Sequence, residues 1–278
     1  MTFERVLVVG AGQMGAGIAQ AFASSGRRVL LHDAAPGAVE RGLGVMRKSL
    51  ERLAAKDQDL DPEDVLALVE PVDDLAEAHL MVEAVVEDPA VKEDVFRRAD
   101  DVLPEAAVLA SNTSSIPIAS LAAVTARPDR VVGMHFFNPV PVMALVEVVR
   151  APETSEETVR AVVALAEELG KTPAEVNDFP GFVSNRILMP LVNEAAYVLQ
   201  EGVAEAEAID TVARLGLNHP MGPLALADLI GLDTCVAIMD VLHRGLGDPK
   251  YEPCPLLREH VAAGRLGRKS GRGFYEYA

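Results

Sequence analysis

The stretch "HFFNPVPVMALVE" (135–147) carries two ionisable groups, His135 and Glu147, among residues that are otherwise uncharged. A neutral imidazole can take a proton from a hydroxyl, while a carboxylate on its other nitrogen selects the tautomer and stabilises the cation that forms. Buried singly, each group is costly; buried face to face, each costs much less. Pro139 and Pro141 redirect the chain between them, so that Glu147 can return beside His135 on a following strand. Spacing alone leaves two readings open, a structural contact and an acid–base pair.

A second constellation is Gly10, Gly12 and Gly15, a GxGxxG turn with Gln13 and Met14 at its variable positions and Asp33 18 residues beyond the third glycine. The apolar run Val6 to Val9 precedes it, and a helical stripe through Ile18, Ala21, Phe22 and Ser25 follows. That strand–turn–helix context is what a dinucleotide-binding turn requires. The first glycine permits the tight turn, the second lets backbone approach a pyrophosphate, and the third lets helix and strand pack closely. The pyrophosphate would meet unpaired N–H groups at the positive end of the helix. Asp33 would accept bonds from the adenosine ribose hydroxyls and repel a 2′-phosphate, and Ala34 and Ala35 after it offer no arginine. NAD is therefore the expected cofactor, held by Gly10, Gly12, Gln13, Met14, Gly15 and Asp33.

Both constellations need strands that end beside helix N-termini. Val6 to Val9, Val29 to His32, "HLMVEAVVE" (79–87), "ALVEVVR" (144–150) and Thr172 to Val176 read as strands, while "AVLASNTSS" (107–115) and "RVVGMHFFN" (130–138) read as strand then loop. Helices alternate with them, one over 36–56 and another near 155–169. Continuous apolar strands indicate a parallel sheet buried on both faces. After "NDFPGF" (177–182) the apolar spacing turns helical, through Leu188, Leu191, Val192 and Ala195 and then Ile209, Val212 and Ala213, with one short strand expected in the terminal "GFYEY". The expected fold class is α/β, a Rossmann-type doubly wound and mostly parallel sheet over residues 1–180, with a second, all-helical domain over 181–278. His135 then stands at the C-terminal end of a strand, the edge where open α/β sheets bind ligands. His32, His79, His219, His243 and His260 read as satisfied or solvated.

Composition narrows the partners. The net charge of −17 over 278 residues argues against nucleic acid and an anionic membrane, since either needs a basic face. Val6 to Gly26 is uncharged over 21 residues, yet Gly10, Gly12, Gly15, Gly17 and Gly26 fit a buried strand, turn and helix better than a membrane span or signal peptide. Cys235 and Cys254 form no CxxC pair, and no HExxH motif or cysteine–histidine cluster is present. Reduced thiols, no metal and a cytoplasmic location are expected.

Five segments in order, "SNTSS" (111–115), "HFFNPVPVMALVEVV" (135–149), "DFPGFVSNR" (178–186), "HPMGPLALADLIGLD" (219–233) and "GRKSGRGFYEY" (267–277), resemble the L-3-hydroxyacyl-CoA dehydrogenase family. The likeness runs from the first strand to the last residues and is strongest to bacterial members acting on short acyl chains. It implies that His135 removes the proton of a C3 hydroxyl while C3 passes hydride to nicotinamide, with Glu147 as the orienting carboxylate. It implies that Ser114 contacts the C3 oxygen, that Asn138 supplies an amide beside the histidine, and that Asn185 faces the substrate from the helical domain. Asn185 shares a helical stripe with Leu188, Met189 and Val192, where a core amide is the alternative. Glu87 and Lys92 would lie near the nicotinamide end of the cofactor; on residue type alone they read as a strand-end acid and a solvated helix lysine. Ser49 and Lys56 fall where relatives contact coenzyme A, on a helix that also carries Arg41, Arg47, Lys48 and Arg52 and otherwise reads as a solvated face.

The resemblance thus implies NAD-dependent interconversion of (S)-3-hydroxyacyl-CoA and 3-ketoacyl-CoA, with an acyl-CoA partner, a hinge over 178–182 and a homodimer formed through the helical domain. Alternatives are a different hydroxyacyl-CoA, such as 3-hydroxyadipyl-CoA, or L-gulonate as substrate, and a non-catalytic NAD-binding structural protein. An enzyme resembling 6-phosphogluconate dehydrogenase would use lysine as its base and would not need the histidine–glutamate pair.

Overall fold

The apolar run after Glu4 forms β1 (Arg5–Val9), the strand beside which a mostly parallel sheet divides, in a computed structural model that describes residues 1–57 and 59–277. Its companions are β2 (Arg28–His32), β3 (Val69–Pro71), β4 (Leu80–Glu83), β5 (Val108–Ser111), β6 (Val131–Phe136), β7 (Leu145–Arg150) and β8 (Thr172–Asn177). Among the described residues they make one eight-stranded sheet of order β3-β2-β1-β4-β5-β6-β7-β8. Neighbours run parallel except β6 and β7, which are antiparallel. The winding direction changes between β1 and β4, which is where open α/β sheets hold their ligands.

Helices cover the sheet because its central strands have no polar face to offer water. Val6, Leu7 and Val8 of β1 are fully buried, as are Leu80, Met81 and Val82 of β4. The helices are α1 (Gln13–Ser24), α2 (Ala38–Ala54), α3 (Pro62–Leu66), α4 (Pro89–Val102), α5 (Ile118–Ala122) and α6 (Glu156–Glu168). Ile18 and Phe22 of α1, Met46 and Leu50 of α2, and Val162 and Leu165 of α6 join one core with the strands. Strand β4 is shorter than "HLMVEAVVE" suggests. The Glu83 carboxylate accepts the N–H of Val85 at 2.6 Å, so the chain turns out of the ladder there.

The chain divides into two compact units, Met1–Asp178 and Phe179–Ala278. The second contains α7 (Ser184–Gln200), α8 (Ala206–Gly216), α9 (Pro223–Ile230), α10 (Leu232–Leu246) and α11 (Pro255–Ala262). Met189, Val192, Leu232, Met239, Leu242 and Leu257 form its core. The strand expected in "GFYEY" is absent; the tail shows only isolated bridges, Gly267 with Arg272 and Arg272 with Glu276. Buried carboxylates hold it instead. Asp228 accepts from Phe274 N (3.0 Å), Tyr275 N (2.9 Å) and Tyr277 Oη (2.9 Å), and Asp210 accepts from Tyr275 Oη at 2.8 Å. Burial, together with the bond to Asp228, pushes the Tyr277 phenol up to about 12. Among the described residues no helix is long and apolar enough to cross a membrane.

Candidate active site

In the antiparallel register of β6 and β7, His135 lies directly opposite Glu147, one rung from Phe136 opposite Val146. This is why a spacing of twelve brings the two side chains together. Nδ1 of His135 and Oε2 of Glu147 are 2.7 Å apart, and the two residues are 8% and 2% exposed. A carboxylate only accepts, so the proton of this bond sits on Nδ1, and the neutral ring carries its lone pair on Nε2. The ring of Phe137 stands 4.7 Å from the imidazole, centroid to centroid.

The loop joining the two strands is held at several points. Lys171, just before β8, donates to the carbonyls of Val140 (2.6 Å) and Met143 (2.9 Å), and burial lowers the pKa of its amine. Gln13 Nε2, in the first turn of α1, donates to Asn138 Oδ1 at 3.0 Å. The glycine-rich turn and the histidine loop are therefore bonded to each other, although 125 residues separate these two side chains.

The turn itself is built for close approach. Gly10 has φ +101°, and a Cβ there would fall 2.5 Å from the carbonyl oxygen of Ala84. A Cβ on Gly15 would fall 1.7 Å from the carbonyl oxygen of Gly10, so strand and helix meet through backbone alone. Around Gly12 the opposite holds, with nothing within 4 Å of a Cβ and no side chain capping α1. An uncapped N-terminus facing open space is a place for an anion. Asp33, past the end of β2, accepts from Ala11 N at 2.7 Å and Ala35 N at 2.8 Å, which fixes its carboxylate beside the turn. These features fit a dinucleotide. Gln13 is exposed and Met14 half-buried.

Across the switch point stands an ion triad with two buried members, Glu83 and Lys92. Lys92, in α4, is 1% exposed, which excludes a solvated helix lysine. Its Nζ donates to Glu83 Oε1 at 2.6 Å and lies 3.2 Å from Glu87 Oε2. Glu83 also accepts from Ser111 Oγ at 2.7 Å. Glu87 Oε1 accepts from Thr113 Oγ1 (2.5 Å), Ser115 Oγ (2.8 Å) and the backbone N–H of Ser114 (3.1 Å), gathering the loop that carries Ser114. Burial would raise the Glu87 carboxyl, but Lys92 and the two hydroxyls outweigh it and hold the group below its usual range. Sequence reasoning missed Glu83. Its signal is an acid ending the apolar strand "LMVE", nine residues before Lys92.

Two family models match in succession: "3-hydroxyacyl-CoA dehydrogenase, NAD binding domain" over residues 5–179 and "3-hydroxyacyl-CoA dehydrogenase, C-terminal domain" over residues 181–277. The chain belongs to the 3-hydroxyacyl-CoA dehydrogenase family. It is 56% identical to a probable 3-hydroxybutyryl-CoA dehydrogenase of Bacillus subtilis over 282 residues, covering 100% of this chain and 98% of that one. It is 48% identical to a 3-hydroxybutyryl-CoA dehydrogenase of Bradyrhizobium diazoefficiens, covering 99% and 95%. Among solved structures, the (S)-3-hydroxybutyryl-CoA dehydrogenase of Ralstonia eutropha superposes with a TM-score of 0.95 at 50% identity, covering all of both chains.

This dehydrogenase is thus an oxidoreductase with NAD as its cofactor. Asp33→Ala removes the carboxylate held at the turn's edge, and the ratio of kcat/KM for NAD over NADP is expected to fall about tenfold, since one unit charge no longer faces a 2′-phosphate. An unchanged ratio would remove Asp33 from cofactor choice. The remaining residues expected in the site stand on other elements. Ser49 is half-buried on α2, Lys56 is exposed just beyond that helix, and Asn185 is buried near the start of α7 in the second unit.

Proposed function

We propose that this dehydrogenase oxidises the C3 hydroxyl of a short-chain (S)-3-hydroxyacyl-CoA to the 3-ketoacyl-CoA, with His135 as the base. The observation that carries this reading is the 2.7 Å bond from Nδ1 of a buried histidine to a buried carboxylate, at the carboxyl edge of the sheet. When bound, NAD supplies the hydride acceptor. Nε2 of His135 takes the hydroxyl proton, and Glu147 offsets the positive charge that the ring acquires. Glu147 also keeps the imidazole from rotating, which preserves a productive line to the hydroxyl.

Ser114, Asn138 and Asn185 are read as contacts to the reacting end of the substrate and cofactor. Support for Ser114 and Asn138 comes from their anchoring, by Glu87 and Gln13 respectively. Ser49 and Lys56 are read as contacts to coenzyme A, beside the exposed Arg41, Lys48 and Arg52, whose charge suits phosphates. The subunits are read as pairing through the helical unit, where Val212, Leu215 and Leu217 are 65%, 80% and 60% exposed. Buried, unpaired thiols at Cys235 and Cys254 suit the reducing cytoplasm.

The test is oxidation of NADH with acetoacetyl-CoA, longer 3-ketoacyl-CoAs and free acetoacetate side by side. Acetoacetyl-CoA is expected to give the highest kcat/KM, and free acetoacetate a value lower by about a hundredfold or more, the loss of nearly 3 kcal/mol of handle binding. Equal turnover of the free acid would overturn the thioester assignment.

A further inference from the structure

We propose that the triad Glu83–Lys92–Glu87, carrying a net charge of −1, biases the cofactor site toward oxidised NAD relative to NADH. The inference rests on the NAD reading above and adds a redox preference to it.

Hydrogen-bond counting sets the charge. Glu83 accepts from Val85 N–H, the Lys92 ammonium and the Ser111 hydroxyl. Glu87 accepts two hydroxyls and a backbone N–H and faces Lys92. Lys92 spends its three hydrogens on Glu83, Glu87 and the carbonyl of Val85. Two carboxylates share one ammonium, so one negative charge is uncompensated. Glu83 and Lys92 are 0% and 1% exposed and the Glu87 side chain is 39% exposed, so water screens the charge only from the Glu87 side.

Position gives the charge its target. Glu83 is in register with Val9, the last residue before the glycine turn, on the side of β1 opposite β2. A dinucleotide lies across this switch point with one half on each side. Asp33, beyond β2, marks the adenosine half, so the triad borders the nicotinamide half. The nicotinamide ring is cationic when oxidised and neutral when reduced. A fixed negative charge beside it therefore stabilises NAD and leaves NADH nearly unaffected. A unit charge about 10 Å away, at an effective dielectric near 20, is worth roughly tenfold in an equilibrium constant.

The chain contains no tryptophan, so NADH binding is read from the coenzyme's own fluorescence, and NAD binding by competition. In Glu83→Gln the triad becomes neutral, and the ratio Kd(NAD)/Kd(NADH) is expected to rise about five- to tenfold. In the double variant Glu83→Gln with Lys92→Met the net charge returns to −1, and the ratio is expected to return to within about twofold of the parent. A merely structural strut would weaken both ligands in parallel and leave the ratio unmoved, most of all in the double variant; that result overturns the proposal. If Glu83→Gln does not fold, Glu87→Gln makes the same change of charge at a side chain 39% exposed and must shift the ratio in the same direction. A parent chain that binds neither coenzyme overturns the cofactor reading, whereas binding with an unmoved ratio overturns only the redox bias.

Discussion

Replacing His135 by alanine is expected to lower kcat by roughly 10³-fold while the Kd for NADH stays within about twofold. The two quantities separate because the imidazole belongs to β6, whereas the anchors proposed for the dinucleotide belong to the glycine turn and Asp33. Removing the ring takes the 2.7 Å bond away from the Glu147 carboxylate, which is 2% exposed in the parent chain. Losing a hydrogen bond to a buried charged group costs about 1–3 kcal/mol, so the variant should also melt earlier. Steady-state kinetics, coenzyme fluorescence and thermal unfolding measure the three effects. Parallel loss of turnover and NADH affinity would mean that His135 supports the cofactor and is not the base.

Glu147→Gln is expected to cost between about 10² and 10⁴ in kcat at nearly unchanged KM. The amide has the shape of the carboxylate but can present N–H to Nδ1. The imidazole then adopts the other tautomer, with its proton on Nε2 and its lone pair turned away from the substrate. The charge that stabilised the imidazolium is lost in the same step. Near-parental turnover would return Glu147 to a structural contact across the ladder. Because the change removes a charge and keeps the volume, circular dichroism should show an unaltered fold.

The strongest sequence signals were those with short reach. The glycine turn, its flanking strand and helix, and the histidine–glutamate hairpin are each contained within a few tens of residues, and local spacing encodes them. Other features depend on partners that no periodicity reveals. Lys92 sits in a helix among polar neighbours and reads as solvated, because nothing local announces that a strand end will bring Glu83 within 2.6 Å of it. Gln13 looks like a filler position in the turn, yet its amide reaches Asn138 across 125 residues of chain. "GFYEY" alternates like a strand, but two buried aspartates from α8 and α9 take up its amide and phenol hydrogens, leaving no ladder to join. In the tail, buried charges far off in sequence outweigh local preference, since an unsatisfied buried group costs more than propensity supplies.

The central claim is that His135 and Glu147 act as one base, and a double-mutant cycle on kcat tests it most directly. Groups that act as a unit lose their effect together, so removing the second costs little once the first is gone. The double variant His135→Ala with Glu147→Gln should therefore turn over (S)-3-hydroxybutyryl-CoA within about threefold of His135→Ala alone. If the two losses multiply instead, Glu147 acts independently of the imidazole and the paired-base account is wrong.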